Sequence, residues 1–203
     1  MAMPGRYIAF EGIEGCGKST HVQRLATHLG AVVTREPGGT DIGAKLREIL
    51  ANVANTHLSP RAEALLMAAD RAQHLHELVI PALEAGKHVI SDRSLYSSLA
   101  YQGYGRQLPL DELHQFNNFA IGARLPDLVV YIRVELSAAR QRLQKRDTDR
   151  FEREDDAFFT RVALGFDQLA TQDPNRWLVI DGTPPKDELE LIIRRAVMER
   201  LGL

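Results

Sequence analysis

The sequence predicts an α/β fold in which a mainly parallel, five-stranded sheet carries helices on both faces. Three observations predict it. Short apolar runs alternate with amphipathic stretches along the chain, the pattern of a sheet wound by crossover helices. One run, LVVYIRV at 128–134, is of continuous apolar character, as expected when both sheet faces are covered. Finally, the 203 residues are 44% hydrophobic and carry no linker, internal repeat or low-complexity stretch, so one sizeable core and one domain over 1–203 are expected.

The elements follow in order. YIAFEG (7–12) reads as a buried strand. Lys18 to Leu29 reads as a helix with Val22, Leu25, Ala26 and Leu29 on one face. AVVTR (31–35) is the second strand, ending in the turn EPGGT (36–40). Thr40 or Asp41 then caps a helix carrying Leu46, Ile49 and Leu50. Ser59-Pro60 opens a long helix toward Glu84, with Pro81 kinking or interrupting its last turn. HVISD (88–92) is a strand, and the residues after Arg93 are helical. Beyond LVVYIRV come helices at 137–145 and 155–170, a last strand WLVID (177–181) and a last helix at 185–201.

Composition narrows the function. Lys and Arg number 25 against 27 Asp and Glu, a net charge of −2, so no global basic field points to nucleic acid as a partner. The single cysteine, Cys16, excludes an intramolecular disulfide and suits a reducing compartment. The leading MAMPGRYIAF has too short an apolar run for a signal peptide, and no stretch approaches the ~20 apolar residues of a membrane span. A soluble cytoplasmic protein with no membrane partner is expected.

Gly12-Ile13-Glu14-Gly15-Cys16-Gly17-Lys18-Ser19, followed by Thr20, fits G-x-x-x-x-G-K-[ST] between a strand and a helix. The glycines let successive backbone N–H groups turn inward around phosphates, and the helix N-terminus adds its positive end. Lys18 reaches the β/γ-phosphates and the Ser19 hydroxyl ligates Mg²⁺. This is the P-loop NTPase arrangement, which predicts a nucleoside triphosphate ligand, with ATP the expected one. No N-K-x-D guanine signature occurs. The loop alone leaves kinases, switches and motors open.

A second anion site decides among these. Ligands in such sheets bind at the carboxyl ends of the strands, where Gly12, Arg35, Asp92 and Asp181 fall. Arg93 follows HVISD, and Arg35, Arg47, Arg71 and Arg106 lie in neighbouring segments. Guanidiniums converging there suit a second phosphate, and Asp92 suits the water shell of Mg²⁺. A regulatory ATP-binding module, using the arginines against a protein, is the rival from another class. An arginine surface for DNA or RNA is a third reading, disfavoured by the net charge.

In the order FEGIEGCGKST, TREPGGT, LLMAADRAQ, DRSLYSSLAYQGYGR and DRFE, the chain resembles the bacterial thymidylate kinases, from Tyr7 to about Asp181. The resemblance implies transfer of the γ-phosphoryl of ATP to dTMP, with Mg²⁺, in a homodimer. It implies that Arg93 and Arg47 clamp the dTMP phosphate, that Arg71, Ser98 and Gln102 face thymine, and that Tyr101 stands against the ribose 2′ position. Glu36 and Pro37 would line the same pocket, with Glu11 and Glu152 near the sugar 3′-hydroxyl or the metal. Met67 stands where many relatives carry a base-stacking phenylalanine; its polarizable sulfur also packs against a ring.

The charge-dense RQRLQKRDTDRFERED (140–155) interrupts the helical pattern. It reads as a mobile segment, and the resemblance makes it a lid at about 142–153. The glycine loop carries no arginine, and relatives of that kind supply one from the lid. Arg146 and Arg150 are the expected catalytic cations, with Arg142 nearer the adenine.

Overall fold

The computed structural model describes residues 5–143 and 149–203. Five strands, β1 (Tyr7–Glu11), β2 (Val32–Arg35), β3 (Val89–Asp92), β4 (Leu128–Arg133) and β5 (Trp177–Asp181), form one sheet in the order β2-β3-β1-β4-β5. Every neighbouring pair is parallel. The expected α/β architecture is therefore present, with all-parallel strands.

Strand side chains alternate between two cores. Tyr7, Val89, Val129 and Tyr131 enter one core, which also takes in Leu75, Leu99, Leu113, Phe158 and Phe166. Ile8, Phe10, Ile90, Val130 and Ile132 enter the other, against Val22, Leu25, Leu189 and Ile193. Both faces are thus covered, which is why the central strands carry apolar residues at odd and even positions alike.

The second face holds α1 (Lys18–Leu29) and α9 (Lys186–Leu201), and the first holds most of the others. Thr40 caps α2 (Asp41–Ala51) by accepting from the Gly43 N–H at 3.0 Å. The long helix expected at 60–84 is α3 (Pro60–His74), a π-helical turn at Leu75–Val79, and α4 (Ile80–Glu84). In that turn the Ile80 N–H donates to the Leu75 carbonyl, five residues back. Pro81 brings no N–H to the ladder, and the helix meets it by widening one turn upstream rather than by breaking.

After β3, Ser94 caps α5 (Leu95–Ser98), which runs on as a π-helical stretch at Leu99–Gly105. Then come α6 (Leu110–Ile121), α7 (Leu136–Leu143) and α8 (Asp156–Gln172). Asp155 is the cap of α8, not its first residue, and accepts from the Phe158 N–H at 2.7 Å. Lys145, the expected end of α7, lies outside the described residues.

Candidate active site

The register pairs Phe10 and Arg35 with Asp92, so the carboxyl ends of β1, β2 and β3 meet at one edge. A cavity of about 680 Å³ opens there. It is lined by Glu14, Gly15, Gly17, Lys18, Ser19 and Thr20 on one side, and by Arg35, Glu36, Pro37, Arg47, Met67 and Arg71 on another. Asp92, Arg93, Ser98, Tyr101 and Gln102 complete the floor, and Arg142, Asp149, Phe151, Glu152 and Lys186 the rim.

The glycine loop is built on conformations that side chains resist. Gly12, Gly15 and Gly17 have φ of 143°, 80° and 97°. A Cβ on Gly12 would lie 2.7 Å from the Ile132 carbonyl oxygen, and one on Gly15 would strike the Ala139 carbonyl. Gly17 then caps α1, whose first residues Lys18, Ser19 and Thr20 line the cavity. Lys18 Nζ donates to the carbonyls of Gly12 and Ile13 at 2.9 and 3.0 Å, which holds the ammonium inside the loop. Cys16 is buried and lies 3.6 Å from that ammonium.

Ser19 Oγ donates to Asp92 Oδ2 at 2.5 Å. A hydroxyl and a carboxylate, both hard oxygens on the cavity wall, fit Mg²⁺, which takes one or two protein oxygens and completes its shell with phosphates and water. Among the described residues no group of three or more His, Cys, Asp or Glu forms a closed metal cage.

Arg93 occupies the left-handed region, φ 78°. Its N–H donates to the Phe10 carbonyl at 2.9 Å, and Ser91 Oγ donates to its carbonyl at 2.7 Å, so neighbouring strands hold the strained residue in place. The guanidinium donates to Ser97 Oγ at 2.9 Å, Glu14 Oε1 at 2.7 Å and the Tyr101 hydroxyl at 3.2 Å. Tyr101 in turn donates to Glu14 Oε2 at 2.5 Å. Burial works against the Arg93 charge, but Tyr101, Glu14, Glu11 and Asp92 outweigh it and raise its pKa.

Glu11 lies behind this wall. It is fully buried and accepts from Ser94 N and Oγ, both at 2.8 Å, and from Ser97 N and Oγ at 3.2 and 2.6 Å. Burial raises its pKa although Arg93 and both hydroxyls pull the other way. The strand alternation explains the placement. Glu11 continues the face of Tyr7, toward α5, whereas Glu14, in the loop, reaches the cavity wall.

Glu36 and Arg71 form a buried pair at 2.8 Å, with His74 Nδ1 2.9 Å from the other Glu36 oxygen. Burial would raise the Glu36 pKa, but Arg71 and His74 prevail and lower it. Arg71 also donates to Asn117 Oδ1, to the Ser94 carbonyl at 3.2 Å and to Ser98 Oγ at 3.1 Å. Arg47 donates to the Pro37 carbonyl at 3.1 Å, and the Glu36–Pro37 bond is cis. Burial, with the nearby Arg35, lowers the Arg47 pKa.

The remaining expected residues divide between the cavity rim, where Arg142 and Glu152 lie, and positions off it. Arg142 reaches the Gly15 and Gly182 carbonyls at 3.4 and 3.3 Å, and Glu152 Oε2 accepts from the Asp149 N–H at 3.2 Å. Arg150 instead pairs with Glu63 at 2.7 Å and donates to the Leu50 carbonyl at 2.8 Å. Arg106 also sits on Glu63, at 3.2 Å, and on Glu154. Arg146 lies outside the described residues. Asp181 caps its own turn by accepting from Thr183 N and Oγ1.

Sequence reading passed over Glu63, Asn117, Ser97 and Lys186. Ser97 had a signal: it follows Ser94 by one helical step, three residues, so both hydroxyls reach the same carboxylate. Asn117 had none, being 46 residues from the arginine it meets.

A triphosphate loop facing a separate arginine cluster across one cavity defines a P-loop phosphotransferase that holds two anionic substrates. Comparison with known proteins narrows the class. A family model described as thymidylate kinase matches residues 10–193. The thymidylate kinase of Pelotomaculum thermopropionicum is 42% identical over 206 residues, covering 98% of this chain and 95% of that one. That of Geobacillus sp. strain WCH70 is 40% identical over 98% of this chain and 99% of its own. That of Staphylococcus haemolyticus is 41% identical over 90% and 92%. The chain belongs to the thymidylate kinase family.

Proposed function

We infer that the chain transfers the γ-phosphoryl group of ATP to dTMP, giving dTDP and ADP. The observation that carries the reading is the single cavity in which the glycine loop and the Arg93–Arg47 cluster face each other. Family membership supplies the identity of the acceptor.

The residues divide the work. Lys18 exchanges its loop carbonyls for β/γ-phosphate oxygens, and the backbone of residues 12–20 cradles the chain of phosphates. Arg93 and Arg47 hold the dTMP phosphate, which is ionised near neutral pH and needs no general base. Four of the five Arg71 N–H groups are accounted for by Glu36, Asn117, Ser94 and Ser98, leaving one for a base carbonyl. Ser98, Gln102 and Met67 complete the base pocket, and Tyr101 guards the 2′ position. Glu36 and Pro37 line the turn beside the acceptor phosphate. Glu152 sits near the sugar, and Glu11 acts through the Arg93–Ser97 turn that it holds. Mg²⁺, when bound at Ser19 and Asp92, neutralises charge on the transferred phosphoryl group.

Residues 142–153 serve as the lid, closing over the phosphates and excluding water. Arg142, Asp149, Phe151 and Glu152 on the rim support this, with Arg142 on the adenine side and Arg146 and Arg150 as the lid cations. Arg150 is held by Glu63 and must exchange that partner to act. A homodimer through the α3–α6 face is supported by Phe119, 90% exposed, and Leu65, 56% exposed, on adjacent helices. No described helix is long and apolar enough to cross a membrane. The free thiol and the need for ATP support a cytoplasmic location.

Arg93→Ala tests the assignment. Turnover of dTMP should fall about 100-fold or more while ATP affinity stays within about twofold, because a charge-assisted clamp is lost on one side only. Unchanged dTMP turnover would remove Arg93 from the site.

A further inference from the structure

Glu63, in the first turn of α3, is fully buried and lies off the cavity wall. Its two oxygens meet donors only. Oε1 accepts from Gln102 Nε2 at 2.8 Å and Arg106 Nε at 3.2 Å; Oε2 accepts from Arg106 Nη2 at 3.2 Å and Arg150 Nη2 at 2.7 Å. Gln102 is 1% exposed and lines the cavity, yet its Oε1 has no hydrogen-bond partner among the described residues. A buried amide oxygen left unpaired costs free energy unless a ligand satisfies it.

These two facts are one device. An amide can turn either end toward a neighbour, and its two ends are nearly the same shape. A carboxylate wedged between two guanidiniums offers acceptors alone, so only the NH₂ end of Gln102 can face it. The carbonyl end is then turned away from Glu63, on a side chain that lines the cavity. We propose that Glu63 is a positioning residue that locks the Gln102 amide with its oxygen toward the base, so that the pocket accepts a pyrimidine carrying N3–H and rejects one with a bare N3. The proposal rests on the reading of Gln102 as a base-facing residue in a dTMP site.

The chemistry is directional. Thymine and uracil present an N3–H donor beside a C4 carbonyl; cytosine presents an N3 acceptor beside an amino group. Gln102 Oε1 and the remaining Arg71 N–H match the first pattern and oppose the second.

Replacing Glu63 by glutamine keeps the shape and removes the lock. The new amide has one oxygen for three donor groups, so its NH₂ must face one of them. Turning Gln102 over relieves that conflict and points its NH₂ into the cavity.

The test is kcat/KM for dTMP and for 5-methyl-dCMP, which share the methyl and the sugar phosphate and differ only at N3 and C4. In Glu63→Gln the ratio of the two should fall about 100-fold from wild type, as reversal of one buried hydrogen bond implies. It falls rather than inverts, because Arg71 still opposes the C4 amino group. Loosening of Arg106 or Arg150 would slow both acceptors equally and cancel in the ratio.

An unchanged ratio in folded Glu63→Gln, with dTMP still phosphorylated by wild type, overturns the proposal and leaves the proposed reaction standing. Failure of wild type to phosphorylate dTMP overturns both. Should Glu63→Gln not fold, Gln102→Met carries the test: removing the inward oxygen should lower the same ratio about tenfold or more, and an unchanged ratio refutes the proposal.

Discussion

Asp70 gives a stability prediction that can be worked from the structure. It immediately precedes Arg71, is fully buried, and accepts from the Gly38 N–H at 2.8 Å, tying α3 to the turn that lines the acceptor side of the cavity. Its other oxygen has no partner among the described residues. Burial, aided by the nearby Glu36 charge, raises its pKa from 3.8 to about 6 against the pull of Gly38, His74 and Arg71. A carboxyl whose folded pKa is raised favours the folded state fully below the unfolded pKa. That advantage disappears as pH rises through the folded pKa.

The two values differ by about two units, or about 3 kcal/mol lost between pH 3 and pH 7. Asp70→Asn keeps an oxygen for Gly38 and carries no titration. Any cost of its unpaired NH₂ is the same at every pH. The stability of the variant minus that of wild type should therefore rise by about 3 kcal/mol from pH 3 to pH 7, with its midpoint near pH 5. Urea denaturation of both proteins across that range measures the difference and cancels every other titrating group. A difference that stays flat to within about 0.5 kcal/mol would refute the burial argument for Asp70.

Two further outcomes follow from the same geometry. Glu11→Ala strands two backbone N–H groups and two hydroxyls of the Ser94–Ser97 turn, so stability should fall by about 3 kcal/mol or more. Its KM for dTMP should rise more than its KM for ATP, in denaturation and steady-state assays, because Arg93 begins that turn. Chelation of divalent cations should abolish phosphoryl transfer while leaving dTMP binding detectable by calorimetry, and added Mg²⁺ should restore turnover.

Local chemistry made part of this legible in advance. The glycine loop is read from eight adjacent residues whose strand and helix flanks are adjacent too, so its phosphate role needed no tertiary information. The strands followed from continuous apolar runs, and the strand-end rule brought Gly12, Arg35 and Asp92 to one edge. The alternation of β1 also held the answer for Glu11: odd positions face α5, behind the cavity.

The rest depends on contacts distant in sequence. The Glu63 cluster joins residues 39, 43 and 87 positions apart, and this is why no local pattern shows that Arg150 and Arg106 meet a buried carboxylate. The π-helical turns at 75–79 and 99–105 are choices of hydrogen-bond register made by packing, which periodicity does not encode. Met67 lines the cavity and packs on the core at once, a double placement that its position in sequence does not announce.

The most direct test of the account is to supply ATP and Mg²⁺ with dTMP, dUMP, UMP, CMP, AMP or thymidine and to identify the products as ADP is released. Selective formation of dTDP from dTMP is the predicted result. ATP binding with none of these acceptors phosphorylated would contradict it, and would leave the arginine cluster opposite the glycine loop without the substrate assigned to it.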